Sequence, residues 1–299
     1  MKFSRNIELG DPSSNKQTFV DIKLKILCCR YWLLNLWDCH DMVFPFWRIY
    51  WNKNEGGELI HQDKTYKMNP DSLYIIPPFT SFSSRFTKKN RHNSGIHVLG
   101  KNITDTDDES NYLESSLIHF FIHFNLGVPF DNVYPGILKI ELTDYLKERL
   151  LYITERLKIE NKDFKLTFNT KLQSFIKEAL TNIGPELWKA INIDKRVLTT
   201  IRYIESNITK KLSNPEIAGI INMAPNSFAR LFKKEMNISL HNFIQNRKIA
   251  KACDLFEHTN DTIEDVSFYL GFSDRYHFSR VFKTVTGLTP AIYKSGKFT

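Results

Sequence analysis

From about residue 18 to 130 the chain alternates short aromatic and β-branched runs with clusters of turn formers. The turns are NKNEGG from Asn52 to Gly57, Asn69-Pro70-Asp71, Pro77-Pro78, and KKNRHNSG from Lys88 to Gly95. Short strands punctuated at roughly ten-residue intervals predict a sandwich or a barrel. In His119-Phe120-Phe121-Ile122-His123-Phe124 every residue is apolar or His, so both faces of that strand must be covered and an interior position is expected. After Pro135 the period lengthens. Leu142, Leu146, Leu150, Ile153 and Leu157 form one stripe at helical spacing, and Leu172, Phe175, Ile176, Ala179 and Ile183 form another. These helices could pack on the β domain or on a second copy of the chain.

Gly184-Pro185 breaks the helical pattern, which makes Gly184 to Ile193 the expected interdomain linker. Helices with regular caps follow. Asp194 caps a helix carrying Leu198, Ile201, Ile204 and Ile208, and Ser213-Asn214-Pro215-Glu216 combines capping-box spacing with a first-turn proline. The chain therefore divides into a β domain over 1–135, a helical packing or dimerisation segment over 136–183, a linker over 184–193 and an all-α domain over 194–299. The fold class is α+β and multidomain.

Inside the last domain a short pattern occurs twice at an offset of fifty residues, Phe-x-Arg-x-Phe-Lys at Phe228 to Lys233 and again at Phe278 to Lys283. A repeat at a fixed offset means one supersecondary unit used twice. In the first copy a short helix holding Ala218 ends at Asn222, which tolerates the left-handed turn, and Pro225 opens a second helix. Phe228, Leu231 and Phe232 face inward on it, so Asn226, Ala229, Arg230 and Lys233 lie elsewhere around the barrel. In the second copy Thr262 caps the first helix, Gly271 turns the chain, and Ser273 or Asp274 caps a helix that buries Phe278, Val281 and Phe282. Arg275, Tyr276, Ser279, Arg280 and Lys283 are left outward. The predicted units are two helix-turn-helix motifs, at 214–236 and 262–286. Leu240 to Phe256 between them contains no Gly or Pro and reads as one continuous helix, a rod of roughly 25 Å. Major-groove faces on one side of B-DNA recur every 34 Å or so, a separation of the same order.

Charge sharpens this picture. The formal net charge is +8, and residues 194–299 hold sixteen Lys and Arg against ten Asp and Glu, a net +6 that leaves +2 for the rest. A concentrated basic surface favours polyanions, nucleic acid first. The four cysteines, Cys28, Cys29, Cys39 and Cys253, have neither CxxC nor zinc-ligand spacing and are expected to be free buried thiols in a reducing compartment. The N-terminus lacks the apolar core of a signal peptide, and the most apolar runs are too short to span a bilayer. The expectation is a cytoplasmic protein without membrane contact.

Leu270 through Tyr293 follow, nearly throughout, the pattern LGFSD-x-x-x-FSR-x-FK-x-x-x-G-x-TP-x-x-Y. By these residues the segment 195–297 resembles the DNA-binding domain of AraC-type bacterial transcription regulators, and Arg247 and Ala250 lie on the matching linker helix. Two departures stand out: Ala224 occupies a position where that family often has a capping Ser, and Ser267 one where Ala is usual. The resemblance implies double-stranded promoter or operator DNA and RNA polymerase as partners, and a regulator, expected to be an activator. Base-reading candidates are Asn226, Ala229, Arg230, Arg275, Tyr276, Ser279 and Arg280. Phosphate candidates are Ser227, Lys233, Lys234, His277 and Lys283. Arg offers a bidentate fork to guanine or phosphate, Asn pairs with adenine, and Lys and helix N-terminal amides suit phosphate.

Regulators of this type commonly carry a sensory cupin-like β-barrel or jelly roll ahead of the DNA-binding domain, and the stretch around Gly57, Asn69-Pro70-Asp71 and Leu73 to Pro78 looks similar. That implies a small-molecule effector or a protein partner, and the helices of 137–183 allow a homodimer. Enzymatic cupins cluster His and Glu on a metal. Here His61 stands alone, and His119 and His123 would have Cα atoms about 13 Å apart on one strand, so packed and hydrogen-bonded histidines are expected, with no metal, no cofactor and no catalytic residue. In Phe46-Trp47-Arg48-Ile49-Tyr50-Trp51 most residues are expected in the core, with a minority lining an effector cavity where Arg48 would meet an anion. Rival readings are a metal-dependent cupin enzyme with a DNA-binding tail and an architectural DNA binder without sequence preference.

Overall fold

The computed structural model describes residues 22–86, 95–159, 165–188, 194–236 and 238–295. Most of the turn read at Lys88 to Gly95 and the end of the linker, 189–193, lie outside the described residues. Among those described, nine antiparallel strands form one curved sheet, a half-barrel. They are β1 (Lys25–Met42), β2 (Trp47–Asn52), β3 (Glu58–His61), β4 (Lys64–Lys67), β5 (Ser72–Ile76), β6 (Phe82–Phe86), β7 (Ile96–Asn102), β8 (Leu117–Asn125) and β9 (Leu138–Glu141). Their order is β4-β3-β6-β1-β8-β2-β5-β9, with β7 on β1. The 18-residue β1 makes the bend: Trp32 to Cys39 pair with β7 along one edge, while Lys25 to Leu34 pair with β8 and Trp37 to Met42 with β6 along the other. The register slips between Leu34 and Leu36, and a bulge of this kind is what lets one strand serve two directions.

β8 lies between β1 and β2, the interior position its covered faces require. Its alternation separates two cores. Ile118, Phe120, Ile122 and Phe124 point to the convex side with Trp47, Ile49 and Trp51 of β2 and Leu73 and Ile75 of β5. There α1 (Asp144–Ile159) and α2 (Leu166–Thr181) cover them with Leu146, Leu150, Ile153, Leu157, Phe168, Leu172, Phe175 and Ile176. The two helical stripes thus pack on the sheet, and both outrun their helices, since Leu142 precedes α1 and Ile183 follows α2. The opposite side chains of the same strands line the concave side: Phe46, Arg48 and Tyr50, and His119, Phe121 and His123. Both histidines are hydrogen-bonded, His119 to Asn52 Oδ1 at 2.7 Å and His123 to Cys28 Sγ at 3.1 Å. The cysteines are free and buried, and burial pushes the Cys39 thiol up to about 12.

The all-α part comprises α3 (Lys195–Ser206), α4 (Asn214–Ile220), α5 (Pro225–Met236), α6 (Leu240–His258), α7 (Ile263–Tyr269), α8 (Arg275–Thr286) and α9 (Pro290–Ser295). Val197, Ile201 and Ile204 of α3 join Ile217, Ala218, Phe228, Phe232 and the start of α6 in a separate core. The second helix-turn-helix unit has no such independence. Its Phe278, Phe282 and Tyr293, with Cys253 and Phe256 of α6, continue without a break into the aromatic residues of the concave sheet face. No helix among the described residues is long and apolar enough to cross a membrane.

Candidate nucleic-acid interface

Each helix-turn-helix unit is built by local chemistry. In the first, the Ser213 side chain accepts the Glu216 N–H at the start of α4, and Asn222 takes φ +51° in the turn, a conformation its short amide side chain tolerates. Pro225 then opens α5, where the Ala224 carbonyl accepts the Phe228 N–H at 3.0 Å while its methyl side chain has no atom to cap the helix. In the second, Thr262 and Asp265 form a reciprocal capping box on α7, Gly271 turns at φ +68°, and Asp274 rather than Ser273 caps α8, accepting the His277 N–H at 2.7 Å. Ser273 donates to Asp274 and so braces the cap. Phe228, Phe232, Phe278 and Phe282 are fully buried, and truncating any of them to Ala costs about 3–5 kcal/mol.

That burial turns the polar side of each helix outward. Asn226, Arg230, Lys233 and Lys234 of α5 are exposed, with Ser227 and Ala229 half-buried beside them. On α8, Arg275, Tyr276, Arg280 and Lys283 are exposed, Tyr276 at 73%, and His277 and Ser279 are half-buried. The domain's ion pairs involve other residues, among them Arg196 with Asp194, Arg247 with Asp131 and Glu205, and Lys251 with Asp254. Arg230, Arg275, Arg280, Lys233, Lys234 and Lys283 therefore present cationic groups to solvent with no carboxylate partner among the described residues. This arrangement can take phosphates, and its arginines can take guanine edges.

Two features lie beyond the reach of the sequence. Arg280 and His277 also line a groove of about 430 Å³ with His241, Asn242 and Gln245 of α6, and Val43 and Phe79 of the half-barrel close its far side. Arg247 and Ala250 take unequal parts on the linker helix: Ala250 is buried, while Arg247 holds Glu205 of its own domain at 2.5 Å and reaches out of that domain to Asp131 at 3.2 Å. Asp131 also accepts from the Leu126 and Gly127 amides and from Trp47 Nε1. Burial raises the Asp131 carboxyl above its ordinary range, and the facing Arg247 offsets part of that rise. With the partners 116 positions apart, neither pattern nor spacing signals the contact.

On the concave face Arg48 is 2% exposed, its guanidinium 3.8 Å from the Phe44 ring centre and within 5.1 Å of the Phe46 and Phe82 rings. Its Nε has no hydrogen-bond partner, and burial lowers its pKa. Among the described residues no group of three or more His, Cys, Asp or Glu is placed to hold a metal ion.

Residues 217–296 match a family model described as a helix-turn-helix domain. Similar curated proteins include the uncharacterized HTH-type transcriptional regulator YfiF of Bacillus subtilis, 31% identical over 37% of this chain and 35% of its own length. The arabinose operon regulatory protein of Escherichia coli is 31% identical over 35% of this chain and 36% of its own. The chain thus spans about a third of the length of the curated relatives it matches. Over nearly the whole chain the fold is similar to that of ToxT from Vibrio cholerae: an apo structure of a point variant superposes with a TM-score of 0.58 over 95% of this chain and 100% of that one at 12% identity. A ToxT structure with a bound unsaturated fatty acid gives 0.52 over 94% and 97%, also at 12%. Paired helix-turn-helix units that end in the Leu270 to Tyr293 signature make residues 217–296 a helix-turn-helix domain similar to that of the arabinose operon regulatory protein, carried behind a β half-barrel in a fold similar to that of ToxT.

Proposed function

We propose that the chain is a sequence-specific DNA-binding regulator in which α5 and α8 read base edges. The observation that carries this reading is the repetition of an outward cationic face, free of carboxylate partners among the described residues, on two helices with the same buried Phe pair. Arg230 and Arg280 are assigned to base edges with Asn226, Ala229, Arg275, Tyr276 and Ser279 beside them, and Ser227, Lys233, Lys234, His277 and Lys283 to phosphates. The protein acts in the cytoplasm as an activator with RNA polymerase, as a homodimer through its N-terminal half. Selecting sites from a random DNA library and measuring affinity against salt tests this. Arg280→Ala should lose about 1–3 kcal/mol on the selected site and relax one position, whereas Lys234→Ala should weaken all DNA alike and lower the salt slope by about 1. An equal loss for Arg280→Ala on selected and random DNA would reduce that residue to a phosphate contact.

The half-barrel is assigned the sensing of an anionic effector. Arg48 supports this, because a buried guanidinium nitrogen without an acceptor is costly and an arriving carboxylate would relieve that cost. The fatty acid bound to the similarly folded ToxT points the same way. Adding oleate should change operator affinity of the wild type and leave Arg48→Met unmoved; an identical response in both removes Arg48 from the site.

A further inference from the structure

Lys248 stands where α6 changes partner. Leu240, Phe243 and Ile244 on its N-terminal side belong to the core of the first helix-turn-helix unit, while Ile249, Ala252, Cys253 and Phe256 on its C-terminal side belong to the core that holds the second. Lys248 is only 5% exposed. Its ammonium donates to two backbone carbonyls, Lys210 O at 2.9 Å and Leu270 O at 2.5 Å, and lies 5.5 Å from the Phe272 ring centre. Lys210 sits in the connection from α3 to α4, in the first unit; Leu270 ends α7, in the second. The same two segments also meet directly. Gly271 turns at φ +68°, and a Cβ added there would stand 2.7 Å from Thr209 O and 3.2 Å from the Lys210 carbonyl carbon.

We propose that Lys248 and Gly271 form a register lock that fixes the rotation and spacing of α8 relative to α5, and so sets the number of base pairs the chain accepts between its two DNA subsites. Lys248 acts here as a positioning residue. The inference rests on the DNA-reading function proposed above. A rod alone could not do this: α6 sets a distance, but the angle of each unit about its axis depends on what else joins them. Inserting one base pair moves the second groove segment by about 3.4 Å and turns it by about 35°. An ammonium shared by two carbonyls that leave it little freedom, beside a backbone contact too close for a methyl group, resists such a rotation.

The test uses the full chain and the two-part site obtained by selection from a random library, together with duplexes that gain or lose one base pair between the parts. The wild type should bind the altered duplexes about thirtyfold less tightly than the selected one. Lys248→Met keeps the stem and removes the donors; it should hold the selected duplex within about threefold while its spacing penalty falls to about threefold. Lys248→Arg should restore most of the penalty, which a loss of general stability would not explain. Gly271→Ala leaves every donor in place and should also flatten or shift the spacing preference, so it decides the matter if Lys248→Met does not fold. A wild-type penalty in both variants overturns the lock, as does loss of folding in both, because the contact would then serve the fold and not the register. Should the library yield no site, or a site of one part, the DNA-reading proposal fails and takes the lock with it; a two-part site with unchanged penalties sinks the lock alone.

Discussion

Replacing Arg247 by Met removes the one guanidinium that ties the half-barrel to the linker helix among the described residues. The Asp131 side chain is 3% exposed and that of Arg247 12%, so the pair sits in a medium where an unpaired charge is expensive. Breaking a buried pair by deleting one partner costs about 3–5 kcal/mol. Two features favour the lower end: Asp131 keeps three N–H donors, from Leu126, Gly127 and Trp47, and Glu205, at 38% exposure, can be rehydrated. A loss of about 3 kcal/mol is expected for Arg247→Met. Asp131→Asn keeps one oxygen for Leu126 and Trp47 but turns an amide group toward the Gly127 and Arg247 donors that shared Oδ2, so about 2 kcal/mol is expected there. The double variant should cost less than the sum by at least about 1 kcal/mol, since each single change already removes the pair. Urea unfolding followed by tryptophan fluorescence reads this well, because Trp47 donates directly to Asp131. Additivity within about 0.3 kcal/mol would refute the reasoning and leave the aromatic contact and the Lys25–Asp254 ion pair to join the domains.

Other outcomes follow from the same structure. Ala224→Ser supplies a side-chain cap that the Ala224 methyl cannot and should stabilise by about 1 kcal/mol, read as a raised Tm; no gain would mean that another group already satisfies the helix start. Ser267→Ala removes a fully buried hydroxyl with no hydrogen-bond partner and should be stabilising by about 1 kcal/mol in urea unfolding, whereas a loss would point to an unseen partner. Burial lowers the His119 pKa to about 3, so from the ordinary value near 6.5 downward the unfolded chain takes up the proton first. The stability that the neutral ring contributes is complete above about pH 6.5 and lost as pH falls toward 3, with roughly 2 kcal/mol gone by pH 5, and His119→Gln should remove that slope from a pH series of unfolding curves.

The sequence by itself determined the elements whose signals are local. The caps at Asp194, Ser213 and Thr262, the left-handed turns at Asn222 and Gly271, and the inward Phe pairs of α5 and α8 each depend on residues within a turn or two of one another, so their chemistry is written in adjacent letters. The interior placement of β8 was legible for the same reason: a strand with no polar face can go nowhere else. Tertiary structure decided what the two halves do to each other. Whether α1 and α2 would cover the sheet or a second copy depended on which surface was near, and an amphipathic stripe carries no address. That Arg48 faces inward among rings, that Arg247 reaches Asp131, and that Lys248 joins two carbonyls are consequences of packing between segments far apart in the chain. A basic residue on a helix looks the same in sequence whether its charge meets water, a carboxylate or a pair of carbonyls, because its energy is set by surroundings that exist only after the chain has closed on itself.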